Sequence, residues 1–449
     1  MAEVQNKQGE QRKKALLVAR VSGFVPQHEM NNVKILQEMG YEVHYATNLN
    51  VVVYGKDNSR LNGTGIIAHQ IDFQKSPFSR NVRKAYQQLI QLVREESFDL
   101  IHCHMPLSAV VTRLAAQKVR KQTGRETPVL YTAHGLHFYT GAPLRNWIYY
   151  PIERYLARYT DRLILINQED YQRGLHFPIR GKVEYVPGVG IPLDGYQPVV
   201  LRESGKVVDP MEREMQEKFG KGVSVPEGEP AEKLKEKLRH EETESAWLVP
   251  ERPAIEKCIG RALSPETRVL VTVGELSRRK NHRLAVDMME ELKDLDLILL
   301  IGGDGAERAN LQKQIEEKGL ENQVFLPGYI QEVNQVLAEA DCYVFPSYQE
   351  GLPVAVMEAM AAGLPVVAAR IRGVTDLIEH GQGGYLVAHF DPVDYAVKVR
   401  RLFTEKYGKS AVPRNIRRFQ MGQWNQKRIQ QFSREVVDQR MREIYGEIA

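Results

Sequence analysis

The chain has 449 residues, a formal net charge of +4, 43% hydrophobic residues and 26% charged residues. That length suits two to three domains of ordinary globular composition, and so mild a charge argues against a nucleic-acid binder. Cys103, Cys258 and Cys342 lie far apart, so neither a disulfide framework nor a zinc knuckle is expected, and a cytoplasmic, reducing compartment fits. No run approaches the ~18 apolar residues of a membrane-spanning helix. The polar start, residues 1–13, reads as a disordered tail and not as a signal peptide.

In chain order, Ala15–Val21 is a short apolar strand, followed by Gly23 and an amphipathic helix. Tyr41–Ala46 is the next strand, which makes a βαβ opening and predicts a doubly wound parallel sheet. There is no GxGxxG, so Gly23 alone is a weak phosphate-loop signal and a dehydrogenase is disfavoured. A strand over 66–73 and a helix over 79–96 follow. The strand 98–104 ends with His102 and His104 on one face. No third ligand sits at a suitable spacing, so no metal site is expected there. The strand Pro128–Thr132 leads into His134 and Gly135. Open α/β sheets bind ligands at such carboxyl ends, so His134 has an active-site address. The aromatic and basic stretch Gly141–Tyr159 suits either a core helix or a lipid surface. Strands at 163–166 and 182–186 complete the first domain.

Residues 199–257 are dense in Glu and Lys and poor in large apolar residues. They read as an inserted linker with one or two exposed helices, dispensable for ligand binding. The expected domain map is a tail over 1–13, an N-terminal domain over 14–198 and a linker over 199–261. A C-terminal domain over 262–424 and a returning helix over 425–449 follow. In the second domain, strands alternate with glycine-bearing loops: Gly274 to Lys280, then Gly302-Gly303-Asp304-Gly305, then Pro327-Gly328-Tyr329. The last helix, 427–445, spaces Ile429, Phe432, Val436, Ile444 and Tyr445 to pack back on the first domain.

The chain is organised around Tyr343–Gly363. Cys342–Phe345 is a buried strand, Pro353 suits a first helical position, and Val354–Ala362 are good helix formers. The helix N-terminus carries unpaired N–H groups and partial positive charge, which suits a phosphate. Glu350 lies before the helix and Glu358 about 7–8 Å along it. Carboxylates do not bind phosphate, but they accept hydrogen bonds from hydroxyls, and a sugar nucleotide has hydroxyls on both sides of its diphosphate.

The stretch EGLPVAVMEAMAAGLPVVA, with GAPLRNWIYYPIE, VEYVPGVGI and VGELSRRKNH, resembles the retaining GT-B glycosyltransferases of family 4. The likeness is greatest to those of bacterial capsular and exopolysaccharide biosynthesis. It implies an α/β, GT-B fold: two doubly wound Rossmann-like domains facing a cleft, with the C-terminal helix packing back on the N-terminal domain. It implies a nucleotide sugar as donor, a UDP-linked hexose or N-acetylhexosamine, and a lipid-linked saccharide as acceptor at the inner membrane surface. No cofactor or metal is expected. Carried over by motif, Glu358 meets the ribose, Glu350 faces the donor sugar, and the N–H groups of Gly351 and Leu352 meet sugar and diphosphate. Lys280 neutralises the diphosphate and His134 lies near the donor sugar. Gly23, Gly303 and Tyr329 complete the candidate binding set. The family's arginine after the loop glycine is replaced by Glu275, and Arg278 is the candidate substitute. A sugar-nucleotide 2-epimerase of the same plan and a non-catalytic sugar-nucleotide-binding protein remain the alternatives.

Overall fold

The computed structural model describes residues 12–76, 81–197, 201–203, 206–208, 252–264, 266–404 and 414–448. The chain divides into two compact units.

Unit 1 comprises Met1–Pro192, Glu350–Val354 and Gln431–Ala449. Its strands are β1 (Lys14–Val21), β2 (Glu42–Asn48), β3 (Ile67–Gln70), β4 (Leu100–His104), β5 (Val129–Ala133), β6 (Arg162–Leu165) and β7 (Lys182–Tyr185). They form one sheet in the order β3-β2-β1-β4-β5-β6-β7, with every pairing parallel. β1 shows why its sequence is apolar throughout. Leu16 and Val18 join a core with Leu89 and Phe98 on one face, while Ala15, Leu17 and Ala19 join a second core with Val33 and Leu36. A strand covered on both faces has no solvent side to encode.

The helix Arg434–Gly446 covers part of the second core through Val437, Met441, Ile444 and Tyr445. The single helix expected over 427–445 is two helices. Arg414–Ile429 ends, a 3-10 turn spans Gln430–Phe432, and Ser433 caps the new helix by accepting from the Val436 N–H. The restart resets the helical phase, so Val437 is buried where Val436, 43% exposed, was expected. The Tyr445 hydroxyl lies 2.8 Å from His102 Nδ1, and His102 Nε2 lies 2.7 Å from Thr132 Oγ1.

Unit 2 comprises Leu193–Gln349 and Ala355–Gln430. A short antiparallel ribbon, β8 (Leu201–Glu203) with β9 (Lys206–Val208), precedes its main sheet. The sheet contains β10 (Arg268–Val273), β11 (Leu297–Gly302), β12 (Val324–Gly328), β13 (Cys342–Phe345), β14 (Val366–Ala369) and β15 (Gly384–Val387). Their order is β12-β11-β10-β13-β14-β15, again all parallel. Most of the expected linker lies outside the described residues. Its end does not behave as a linker. The helix Pro253–Ile259 buries Ile255, and the N–H groups of Ala254 and Ile255 donate to the Glu339 carboxylate at 3.1 and 2.9 Å. Arg252, 4% exposed, pairs with Asp341 at 2.8 Å. A deletion through residue 257 therefore removes part of unit 2.

Replacing Tyr445 by Phe keeps the packed ring and takes away one partner of a fully buried histidine. The expected result is a loss of about 1–3 kcal/mol in urea unfolding of the whole chain. An unchanged unfolding midpoint would mean that the hydroxyl contributes nothing to holding the terminal helix.

Candidate active site

In each sheet the order in which strands are added reverses at one point: between β1 and β4, and between β10 and β13. Ligands of open α/β sheets bind outside the strand carboxyl ends at such points. The loop after β10, in unit 2, is Gly274–Asn281; the loop after β13 is Pro346–Pro353, of which Pro346–Gln349 belong to unit 2. The two are stitched together. The Tyr348 N–H donates to the Arg279 carbonyl at 2.9 Å, Ser347 Oγ donates to the same oxygen at 3.1 Å, and Asn281 Nδ2 donates to the Pro346 carbonyl at 3.2 Å. Arg279 in turn donates to the Gln349 carbonyl at 3.0 Å. This brings Lys280 to the end of β13, with Nζ 4.9 Å from the centre of the Phe345 ring. His282, buried behind it, is pushed down to about 4 by burial and by the charge of Lys280.

Glu358 sits on the helix Val354–Ala361 that leaves this loop. Burial raises its carboxyl above the ordinary value, and its carboxylate has no hydrogen-bond or ion-pair partner among the described residues. Tyr196, which sequence reasoning missed, lies close enough for the Glu358 charge to add to burial in raising its phenol. Its only signal was a tyrosine shortly after the first domain's exit.

The remaining predicted residues of unit 2 are placed differently. Gly303 has φ +132, and a Cβ there would lie 2.0 Å from the Gly274 carbonyl oxygen. Its own N–H donates to the Gly328 carbonyl at 2.7 Å, so Gly303 joins the loops after β10, β11 and β12. Tyr329, next in chain, is 85% exposed. The Arg278 side chain is 91% exposed and turns to Glu307 at 3.4 Å. It lines a pocket of about 440 Å³ with Ser277, Asn281, His282, Asn310 and Tyr348.

In unit 1, Gly23 follows β1, but a Cβ on it would fall 1.6 Å from the Val53 carbonyl oxygen. Backbone fills the space beside it, which gives Gly23 a packing role. His134 follows β5. The backbone after it is anchored by buried Asp170, which accepts from the Leu136 N–H at 3.0 Å and is itself held by Asn167. Gly351 meets this turn: a Cβ there would lie 1.9 Å from the His134 carbonyl oxygen. Glu350 is half-buried beside it and Leu352 is buried. His134 is not alone. Glu29, which separates the helices Phe24–His28 and Met30–Glu38, is buried with Oε1 3.3 Å from His134 Nε2 and 3.5 Å from His104 Nδ1. Burial opposes ionisation of Glu29, yet His104 and His134 together hold its carboxyl below the ordinary range. Burial pushes His104 down to about 4.

A family model described as glycosyl transferase 4-like matches residues 14–167, and one described as glycosyl transferases group 1 matches residues 260–418. The chain is 29% identical over 439 residues to the putative glycosyltransferase EpsD of Bacillus subtilis strain 168, covering 97% of this chain and 96% of that one. It is 24% identical over 310 residues to the UDP-Gal:alpha-D-GlcNAc-diphosphoundecaprenol alpha-1,3-galactosyltransferase of Escherichia coli, covering 68% of this chain and 66% of that one. Among solved structures, Anabaena Alr3699/HepE in complex with UDP and glucose superposes with a TM-score of 0.65 at 17% identity, covering 97% of this chain and 100% of that one. The last likeness concerns the fold. Two parallel Rossmann-like sheets, each half matched by its own glycosyltransferase model, give one conclusion: the chain belongs to the GT4-like glycosyltransferases of GT-B fold.

Proposed function

We propose that the protein transfers a hexose or N-acetylhexosamine from a UDP-sugar to a lipid-linked saccharide in cell-surface polysaccharide assembly, with retention of anomeric configuration. The observation that carries this reading is Glu358. A carboxylate that burial disfavours and no side chain compensates, on the helix at the β10/β13 switch point, suits the two hydroxyls of a ribose. Lys280 supplies the positive charge for the diphosphate. The UDP and the diphosphoundecaprenol in the name of the Escherichia coli relative support the donor and acceptor classes.

In the proposed reaction the bond from the anomeric carbon to the diphosphate oxygen breaks, and the acceptor oxygen bonds to the same face of that carbon. The acceptor proton passes to the departing phosphate. Lys280 stabilises the charge that the leaving group gains, without a metal. Glu350 and the N–H groups of Gly351 and Leu352 hold the donor sugar, with His134 beside it.

Calorimetry with uridine, UDP and the UDP-sugar tests the roles separately. Glu358→Gln should weaken all three by about one to two decades, the worth of a charged hydrogen bond. Lys280→Ala should weaken UDP far more than uridine. Glu350→Gln should leave UDP binding near the parent's while transfer collapses. If Glu350→Gln weakened uridine as much as Glu358→Gln, the two carboxylates would be wrongly assigned. Release of an epimerised nucleotide sugar without acceptor would favour the epimerase reading, and donor binding with neither transfer nor hydrolysis the binding-protein reading.

Glu358→Gln should also stabilise the ligand-free protein at neutral pH. The folded carboxyl titrates above its unfolded value, so the folded state binds the proton more tightly. The parent's full stability is present below the unfolded value and is lost as pH rises through the raised folded value. The gap between variant and parent should therefore close as pH falls through that window. A gap independent of pH in thermal unfolding would place the effect elsewhere.

We further propose that unit 1 docks on the lipid surface through the segment Leu144–Tyr155. Leu144, Ile148, Ile152 and Tyr155 recur at near-helical spacing and are 90%, 64%, 43% and 51% exposed. Arg145, Arg154 and Arg158 flank them. Beneath, Glu153 pairs with buried Arg113 at 2.8 Å, which holds the exposed face outward. No helix among the described residues is long and apolar enough to cross a membrane. Flotation with anionic liposomes should show binding that weakens with salt and is lost in Leu144→Asp/Ile148→Asp. Binding unchanged by those substitutions would exclude this face.

A further inference from the structure

We propose that Glu29, His104 and His134 form a binding site for a divalent transition-metal ion of the zinc class. The argument is the shape of the triangle that their ligand atoms make. Glu29 Oε1 and His134 Nε2 are 3.3 Å apart, Glu29 Oε1 and His104 Nδ1 3.5 Å, and His104 Nδ1 and His134 Nε2 3.4 Å. All three edges exceed the ~2.7–3.2 Å of ordinary hydrogen bonds. They match the distance between ligands of a tetrahedral zinc: with bonds of about 2.0–2.1 Å, the tetrahedron's edges are about 3.3–3.4 Å. Two histidines and a glutamate are also a recognised donor set for zinc with one position left open.

The surroundings fit an ion as well. Asn32 Nδ2 donates to Glu29 Oε2 at 2.5 Å, which turns Oε1 toward the two imidazoles. The Phe24 ring stands edge-on to His134 and tilted against His104, with centroids 5.2 and 5.5 Å away, and limits solvent on that side. Glu29 and His134 also line a cavity of about 20 Å³ with His28 and Asn31. That is room for one water, the fourth ligand that an open zinc site carries. One support is missing. His104 Nε2 is buried with no hydrogen-bond partner, whereas metal-bound histidines ordinarily donate their other N–H. Loss of such a support typically costs ~10–100-fold in affinity, so binding weaker by that factor than at a fully supported site is expected.

The sequence hides this site because its ligands come from a helix junction and from the ends of two strands, β4 and β5. On the reading of His134 given above, an ion would take the lone pair of Nε2 and make it unavailable to the donor sugar. Occupancy would switch transfer off.

Cobalt is the probe, because its visible absorption reports coordination number without any reaction. The full-length protein, freed of metal with a chelator, should take up about one Co²⁺ per chain with the intense bands of a four-coordinate ion. Zinc should displace the cobalt and raise the unfolding temperature, as any ligand of the folded state does. Glu29→Gln and His104→Gln should each lose at least about tenfold in affinity. Weak six-coordinate cobalt bands, or affinity unchanged in both variants, would overturn the site. The parent's cobalt spectrum decides even if a variant fails to fold. Zinc should also inhibit transfer reversibly. A four-coordinate site without inhibition would leave the ion site standing and overturn the placement of His134 at the donor sugar.

Discussion

In a parallel sheet each strand must be approached from the same end, so every connection at the other end is a strand-to-helix loop. Both larger sheets obey this throughout, with seven strands in one and six in the other. The result is that loops of very different sequence crowd one edge, and the residues in them meet without being neighbours in the chain. Glycines and buried carboxylates manage that crowding. Gly303 lets one loop touch the next through backbone, and Asp170 pins the turn after β5. The candidate residues inherit their positions from these anchors and not from local propensity.

The same economy operates at the opposite edge of unit 2. Asp341 precedes β13 and accepts from the Val269 N–H at 2.9 Å, while Arg252 and Arg418 approach its two oxygens at 2.8 and 3.3 Å. One carboxylate thus joins the first strand of the sheet, the residue where the chain returns from the insert, and the helix Arg414–Ile429. Removing one partner of such a buried pair leaves the other charge uncompensated, so the group stands or fails together.

Much of this was legible in order along the chain. Alternation of apolar runs with glycine-bearing loops and amphipathic helices located nearly every strand, and the E-x(7)-E stretch located the helix that carries Glu358. What escaped was of two kinds. Helix phase was lost at Ser433, because a capping serine inside an otherwise helical pattern reads as a tolerated polar residue. The helix Pro253–Ile259 was hidden by composition, since its anchors, Glu339 and Asp341, lie far along the chain. The triangle at Glu29 is illegible for a related reason: nothing at short spacing pairs with His104, and its partners arrive from residues 29 and 134. Sequence spacing reports neighbours on one element well and neighbours across a sheet edge poorly. Arg278 shows the converse. Its spacing recommended it as a substitute cation, but its side chain turns outward to Glu307.

The Arg252–Asp341 pair has a consequence for how this chain can be altered. It fixes the point where the described chain resumes, at Arg252, ahead of the helix Pro253–Ile259. Asp341 precedes β13 and binds the backbone of β10, so the guanidinium of Arg252 is tied to two neighbouring strands at once. A change of Arg252 to an apolar residue would leave the buried carboxylate short of a partner and should loosen the helix Pro253–Ile259 and the start of β10 together, so any redesign of the chain ahead of this helix has to keep that one arginine.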